Sequence, residues 1–169
     1  KPGALTLVDL ARYRAIEREP VCGPYRRWRL CGMGPPSTGA ISVLQLLGIL
    51  ERTPFAQAAA GSADAAHLFS EAARLAYADR LRYVADPAFV PQPVEGLLES
   101  SYLDARARLV GPRSMGTAKP GEPRGAPLSG VAPDTEVAGT SHLSIVDADG
   151  DAVSMTTTVE SAFGSRIMV

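Results

Sequence analysis

The sequence predicts an α+β protein, because helical and strand-like patterns occupy separate parts of the chain. Apolar and alanine residues recur at helical spacing through much of the first 110 residues. Alternation of polar and apolar residues is confined to two short stretches, at about residues 20–33 and after Thr140. The chain has 169 residues, 46% of them hydrophobic, which is enough for one buried core.

Four helices are predicted in the first 110 residues, over about 7–16, 38–50, 62–84 and 98–109. Thr6 and Asp9 have the spacing of a capping box at the start of the first helix. Ser62 is the expected N-cap of the third, and Asp86-Pro87 ends it. The face of the third helix that we expect in the core carries Leu68, Ala72, Leu75, Ala76 and Tyr83.

The two cysteines lie in the first alternating stretch, which predicts a short β-hairpin. A two-residue turn at Arg26 and Arg27 would place Cys22 opposite Cys31, with α-carbons about 4.5 Å apart. That separation allows a disulfide. Two half-buried thiols fit the pattern equally well, because two arginines make a poor hairpin turn.

Residues 111–139 contain six glycines, five prolines and few large apolar residues. Such a composition predicts a flexible segment without regular structure. It separates a mostly helical part, residues 1–110, from a short C-terminal part, residues 140–169.

The C-terminal part alternates on both sides of a turn, and the turn sets the register of the two strands. A three-residue loop, 148–150, pairs Asp147 with Asp151 and, counting outward, places Thr140 opposite Thr158. A two-residue loop would mix the polar and apolar faces, so we expect the three-residue loop. In that register one face carries Thr140, His142, Ser144, Ser154, Thr156, Thr158 and Glu160.

Pattern alone favours an ordinary solvent-exposed sheet face, on which Thr and Ser are common. The acidic residues of the turn resemble a calcium loop, but Gly150 is at position four instead of six, and position twelve is Thr158 instead of Glu. A nucleophilic serine site with His142 lacks the strand–turn–helix elbow that exposes such a serine. We therefore predict no metal site and no cofactor.

The net charge of −1 argues against nucleic acid or an anionic membrane surface as a partner, since both attract basic proteins. The longest apolar run, residues 40–50, is shorter than the roughly 18 residues that a membrane span needs. We expect no nucleic-acid partner and no membrane span in this chain.

Beyond these patterns, the segments TSHLSIVD (140–147), DGDAVSMTTT (149–158) and FGS (163–165) resemble the processing-site region of the γ-glutamyltranspeptidases. The resemblance continues upstream through PPSTG (35–39), GSAD (61–64), AYADR (76–80) and Asp86-Pro87. It covers nearly the whole chain in the family's order. It implies part of the αββα sandwich of the N-terminal nucleophile hydrolases.

The resemblance also implies a precursor that cuts itself into two subunits between Gly139 and Thr140. Thr140 would then be the nucleophile, and the hydroxyl of Thr158 would hydrogen-bond to it. Glu160 would lie near the α-amino group of the substrate, where the most familiar members carry asparagine. Residues 1–110 would end the large subunit, residues 111–139 would precede the processing site, and residues 140–169 would open the small subunit.

The implied activity is transfer or hydrolysis of the γ-glutamyl group of glutathione and related amides, through an acyl-enzyme on Thr140. Water, an amino acid or a peptide would be the acceptor. The cephalosporin-type acylases, which take glutaryl amides, share this architecture and are the alternative. An inactive homologue that serves as a scaffold is a third interpretation.

Other parts of the family's site are expected outside this sequence. The arginine that binds the substrate carboxylate would precede Lys1, and the serine and glycine pairs of the oxyanion hole would follow Val169. The isolated chain is therefore expected to be inactive. The resemblance implies a periplasmic or extracellular location, although no signal segment is visible in the chain.

Overall fold

The structure is a computed structural model, which describes residues 6–126 and 140–158. Two compact units divide the chain, one formed by Lys1–Ile16 with Pro133–Val169 and the other by Glu17–Ala132. The predicted α+β class is confirmed. The elements are α1 (Leu7–Arg12), β1 (Val21–Tyr25), β2 (Trp28–Gly32), α2 (Gly39–Glu51), a 3₁₀ helix (Pro54–Gln57), α3 (Ala63–Tyr83), α4 (Val94–Leu98), α5 (Ser100–Ala107), β3 (Thr140–Val146) and β4 (Ala152–Thr158).

The helix starts that the capping residues predict are confirmed. Thr6 and Asp9 form a reciprocal capping box at the start of α1. The Ser62 hydroxyl accepts a hydrogen bond from the backbone N–H of Ala65 at 3.1 Å, which begins α3. Helix α1 ends at Arg12 instead of near Ile16. It buries none of its residues, so no tertiary packing prolongs so short a helix.

The fourth predicted helix is wrong in its bounds, because the chain forms two helices, α4 and α5, on either side of an extended Glu99. Leu97 and Tyr102 both point into one apolar cluster. In an unbroken helix these two side chains would lie about 140° apart around the axis. The break at Glu99 therefore lets both side chains enter the core.

The core of the second unit lies between α2, α3, α4 and α5. The larger cluster contains Ile49, Leu50, Ala72, Leu75, Leu103 and Ala107. The smaller cluster contains Ile41, Tyr83, Leu97 and Tyr102. Four of the five residues predicted for the core face of α3 are buried, and Leu68 is partly buried at the edge of the larger cluster. Among the described residues, no helix combines the length and apolarity that crossing a membrane requires.

A buried carboxylate, Asp79 of α3, joins several of these elements. Its Oδ2 accepts hydrogen bonds from Nε2 of Gln45 (3.0 Å) and from the hydroxyl of Tyr102 (2.8 Å). Its Oδ1 accepts the backbone N–H of Gly121 (2.8 Å) and lies 3.1 Å from Nη2 of Arg106. Burial raises the pKa of the Asp79 carboxyl, while the hydrogen bond from Gly121 and the charge of Arg106 oppose that rise.

Residues 111–126, which we call the strap, contain no helix or strand but are fastened to the helices. Glu71 of α3 accepts the backbone N–H of Met115 at 2.7 Å and the hydroxyl of Ser114 at 3.0 Å. Side chains of the helices also hydrogen-bond to strap carbonyls: His67 to Gly111, Arg74 to Gly116, Arg106 to Lys119 and Tyr83 to Gly121. The expectation of a flexible segment over 111–139 stays a prediction: the strap has these contacts to the helices, and residues 127–139 lie outside the described residues.

The first hairpin, β1–β2, has the expected two-residue turn at Arg26 and Arg27, and its register pairs Cys22 with Cys31. The two cysteines form a disulfide, which decides the alternative that the sequence left open. Arg26 adopts a φ of +52°, which is uncommon for a non-glycine residue. Its backbone N–H donates to Oε1 of Glu51 at 2.9 Å, so this unusual turn is tied to the end of α2.

We expect loss of the disulfide to lower the free energy of unfolding by about 2.5 kcal/mol, because the bond closes a loop with a sequence separation of 9. Urea unfolding of the Cys22→Ser/Cys31→Ser variant, compared with the wild-type protein with its disulfide intact, measures this change. Alkylation of both cysteines in the folded, unreduced protein would contradict the disulfide.

We expect Asp79→Ala to lower the free energy of unfolding by about 3–5 kcal/mol, because it leaves Arg106 buried without its counter-charge. The matched control is Asp104→Ala, which removes a partly exposed ion pair with Arg52. That change is expected to cost less than about 1 kcal/mol. Equal losses of unfolding free energy in the two variants would show that the buried Asp79 contacts stabilise the protein no more than an exposed ion pair does.

Candidate active site

The turn of the second hairpin has the three-residue loop that the alternation predicted. The N–H of Asp147 donates to the carbonyl of Asp151 at 3.0 Å, and Gly150 adopts a φ of +91°. That left-handed conformation is one that glycine adopts without strain. The carboxylate of Asp147 also accepts the backbone N–H groups of Asp149 (3.0 Å) and Asp151 (2.9 Å), which stabilises the loop.

The loop sets the strand register, and the predicted pairing of Thr140 with Thr158 is confirmed. Among the described residues, these two form the outermost pair of the ladder, seven residues along each strand. The hydroxyl of Thr140 donates to the hydroxyl of Thr158, with 3.0 Å between the two oxygens. The residue that the resemblance implies as nucleophile is thus held by a second hydroxyl.

The rest of this face forms a chain of polar contacts centred on His142. Its Nδ1 lies 2.8 Å from the hydroxyl oxygen of Thr156. Its Nε2 lies 3.2 Å from the hydroxyl oxygens of both Ser144 and Ser154. We call this surface the hydroxyl face, formed by Thr140, His142, Ser144, Ser154, Thr156 and Thr158. The alternation placed these residues together but did not predict how the imidazole connects the hydroxyls.

The chemistry of the hydroxyl face follows from which groups the imidazole contacts. Both ring nitrogens of His142 are engaged by hydroxyls other than that of Thr140. His142 therefore braces the two strands and is not placed to take the Thr140 proton. The Thr140 hydroxyl needs a separate base to become a nucleophile. Within the described residues, no group of three or more His, Cys, Asp or Glu side chains could hold a metal ion.

The structure thus brings together two of the predicted site residues, Thr140 and Thr158. The other two, Gly139 and Glu160, lie outside the described residues. Every described residue of β3 and β4 is exposed, so the hydroxyl face is open to solvent in this chain.

Comparisons of this chain with known proteins, by sequence and by structure, agree on one family. The family model described as Gamma-glutamyltranspeptidase matches residues 1–169. The glutathione hydrolase proenzyme of Escherichia coli is 40% identical over 167 residues, which cover 98% of this chain and 28% of that protein. The acylase ACY 1 proenzyme of a Pseudomonas species (strain SE83) is also 40% identical over 167 residues, which cover 99% of this chain and 28% of that protein.

A solved structure agrees with these sequence matches. The crystal structure of cephalosporin acylase from Bacillus halodurans matches 98% of this chain and 27% of that chain, with a TM-score of 0.72 and 27% identity. The chain spans about 28% of the length of the curated relatives described above. With the family model matching from the first residue to the last, these findings show that the chain belongs to the γ-glutamyltranspeptidase family and shares the fold of the N-terminal nucleophile hydrolases.

Proposed function

We propose that this chain is the central piece of a precursor that cleaves itself between Gly139 and Thr140 and then acts on γ-glutamyl amides through Thr140. The observation that supports the proposal is the 3.0 Å hydrogen bond between the hydroxyls of Thr140 and Thr158. It holds the oxygen of Thr140 at the first residue of β3, where the family resemblance puts the processing site. Large and small subunits would then come from one precursor.

In the self-cleavage step the hydroxyl of Thr140 attacks the carbonyl carbon of Gly139. A C–O ester bond forms, the peptide C–N bond breaks, and the hydroxyl proton passes to the released nitrogen. Water then hydrolyses the ester, leaving a carboxylate on Gly139 and restoring the Thr140 hydroxyl. Glycine at position 139 has no side chain to obstruct this approach.

Cleavage changes the nitrogen of Thr140 from an amide into an amine, and this change supplies the missing base. A free α-amine has an ordinary pKa of about 7.7–8.0, close to the range that suits general-base catalysis at neutral pH. It takes the hydroxyl proton as Thr140 attacks the γ-glutamyl carbonyl, and the leaving amine takes that proton when the amide bond breaks. Water, an amino acid or a peptide then attacks the ester carbonyl of the acyl-enzyme and loses a proton to the Thr140 α-amine. The bond to the Thr140 oxygen breaks, the γ-glutamyl group leaves on the acceptor, and the proton returns to the Thr140 hydroxyl.

Substrate choice depends on Glu160 in this proposal. A carboxylate there would pair with the α-ammonium of a glutamyl substrate through a charge-assisted hydrogen bond. A glutaryl group has no ammonium, so it would gain nothing from this contact. The second candidate is nevertheless a glutaryl acylase, since the Pseudomonas acylase is as similar to this chain as the Escherichia coli hydrolase.

The remaining parts of the proposed site belong to the full precursor. An arginine for the substrate carboxylate would come from the N-terminal side of this sequence, and the oxyanion-hole residues from its C-terminal side. The chain in isolation is therefore proposed to be inactive. A periplasmic or extracellular location is proposed from the family.

We expect Thr140→Ala, made in the full precursor, to abolish both self-cleavage and turnover. Thr158→Val keeps the shape of the side chain but removes its hydroxyl, and we expect it to slow both steps about tenfold, the effect of one hydrogen bond. Gel analysis gives the extent of cleavage, N-terminal sequencing identifies the small subunit by Thr-Ser-His-Leu, and a γ-glutamyl anilide gives turnover.

Thr157→Val is the matched control, because Thr157 pairs with Ser141 on the opposite face of the hairpin. It should leave both rates unchanged. Cleavage that persists in Thr140→Ala would remove Thr140 from the mechanism. A wild-type precursor that turns over neither a γ-glutamyl nor a glutaryl amide would support the third interpretation, an inactive homologue that serves as a scaffold.

We expect the wild-type precursor, once cleaved, to have a higher kcat/KM for a γ-glutamyl anilide than for a glutaryl anilide. Glu160→Gln should lower kcat/KM for the glutamyl substrate about 10–100-fold, the value of a charge-assisted hydrogen bond. It should leave the glutaryl substrate unaffected, which makes that substrate the internal control. A wild-type preference for glutaryl would overturn the proposed role of Glu160 and favour the acylase.

A further inference from the structure

We propose that the disulfide between Cys22 and Cys31 is a site of reversible exchange with small anionic thiols, which attack the sulfur atom of Cys31. The inference goes beyond the proposed function and does not rest on it, because the exchange needs neither the Thr140 hydroxyl nor cleavage of the chain. Glutathione, which the proposed function treats as a substrate, is a thiol of this class. It carries more carboxylates than ammonium groups at neutral pH and is therefore negatively charged.

The disulfide lies on the outer face of the β1–β2 hairpin. The inner face packs on α2: a β-carbon on Gly23 would lie 3.0 Å from Cδ2 of Leu44, and one on Gly32 would lie 3.2 Å from the β-carbon of Ala40. Neighbouring side chains of a strand point to opposite faces. Each cysteine is next to one of these glycines, so both sulfur atoms lie on the face turned away from α2.

Solvent reaches the two cysteines unequally. Cys31 is an exposed residue of β2, whereas Cys22 in β1 is half-buried. A thiolate has to reach a sulfur atom to attack it, so access decides which sulfur is attacked. Exposed disulfides are also the ones that thiols reduce most readily. Exposure therefore selects Cys31 as the point of attack and makes Cys22 the leaving thiolate.

The charge around the disulfide favours a negatively charged thiol. Residues 20–34 contain no acidic residue and three basic ones, Arg26, Arg27 and Arg29. Arg29 shares the outer face with Cys31 and lies two residues away on the same strand, so their α-carbons are about 7 Å apart. Within the part of the chain that the structure describes, no carboxylate pairs with Arg29. Its guanidinium is thus available to attract a carboxylate of the incoming thiol.

The exchange takes place in two steps. A thiolate, RS⁻, attacks the sulfur of Cys31. An RS–S bond forms, the bond between the two cysteines breaks, and its electron pair leaves with the sulfur of Cys22, which takes a proton from water. A second thiolate then attacks the sulfur that carries R, RS–SR leaves, and the Cys31 thiolate takes a proton. Two molecules of RSH are thereby oxidised to one RS–SR, and the disulfide is reduced to two thiols.

The hairpin makes the exchange reversible, because it keeps the cysteines paired while the bond is open. Its register comes from the two-residue turn, in which the N–H of Arg26 donates to Glu51 of α2 at 2.9 Å. Its inner face packs on α2 through residues other than the cysteines. The Cys22 thiolate therefore stays opposite Cys31, where it attacks the mixed disulfide, expels RS⁻ and restores the original bond.

The experiment incubates the full precursor with millimolar glutathione and stops the reaction at early times with excess N-ethylmaleimide. Trypsin cuts after Arg18, Arg26 and Arg29 and so places the cysteines on separate peptides, residues 19–26 and 30–52. Mass spectrometry then distinguishes the disulfide-linked pair from either peptide carrying glutathione. We expect the glutathione adduct on peptide 30–52 and the maleimide, which marks a free thiol, on peptide 19–26.

Arg29→Gln tests the preference for an anionic thiol. At low ionic strength, removing one positive charge about 7 Å away should slow the attack of glutathione about threefold. The same variant should not slow the attack of cysteamine, a thiol whose amino group is positively charged. Arg108→Gln is the matched control, because it removes an exposed arginine at the end of α5, outside the hairpin. It should leave both rates unchanged.

A linked pair of peptides that survives glutathione in the folded precursor would overturn the inference. Equal amounts of adduct on the two peptides would also overturn it, since attack on an unfolded chain gives that result. An Arg29→Gln variant that slows glutathione and cysteamine equally, or slows neither, would overturn the preference for anionic thiols. The Thr140→Ala precursor should exchange at the wild-type rate, which tests this inference separately from the proposed function.

Discussion

The packing of the helical unit depends on one buried carboxylate, that of Asp79. Gln45 of α2, Tyr102 and Arg106 of α5, and Gly121 of the strap all approach it. A charge removed from water must be paired and hydrogen-bonded, so none of these partners can leave without a large loss of free energy. Burial and the nearby Asp79 charge also raise the pKa of the Tyr102 hydroxyl, which therefore remains protonated and donates to the carboxylate. Three helices and an irregular segment are thereby fixed relative to each other.

The hydroxyl face depends on a different and purely local constraint. The loop that Asp147 and Gly150 define sets the register of a seven-residue ladder. A shift of one residue would turn every side chain of one strand to the other face and separate the Thr140 and Thr158 hydroxyls. The contact between Thr140 and Thr158, which the proposed function uses, thus depends on a turn at the other end of the hairpin. His142 of β3 contacts two hydroxyls of β4, those of Thr156 and Ser154, and so links the two strands between the turn and Thr140.

The proposed function gives a reason for the hydroxyl of Thr140 at the start of β3. A threonine oxygen has little nucleophilicity at neutral pH without a base. A nucleophile at a chain terminus carries its own base, but only after the preceding peptide bond is broken. An enzyme of this kind is made inactive and becomes active by one covalent change. The two relatives at 40% identity are a glutathione hydrolase proenzyme and an acylase proenzyme, so both names occur among proteins equally similar to this chain.

Features that depend on neighbouring residues could be predicted from the sequence alone. Thr6 and Ser62 cap the helices that begin directly after them. The turn of each hairpin sets the register that places Cys22 opposite Cys31 and Thr140 opposite Thr158, although the pattern left the disulfide itself undecided. The broken fourth helix and the attached strap could not, because long-range contacts decide them. Leu97 and Tyr102 enter one cluster only if the helix breaks, and a Gly/Pro-rich composition shows nothing of the buried Glu71 and Asp79 that bind the strap. The sequence by itself thus determined the hairpin registers and the helix caps, because each depends on residues close by in the chain. Only the tertiary structure decided how the strap is held, because Glu71 and Asp79 are some 40 residues away from it in the sequence.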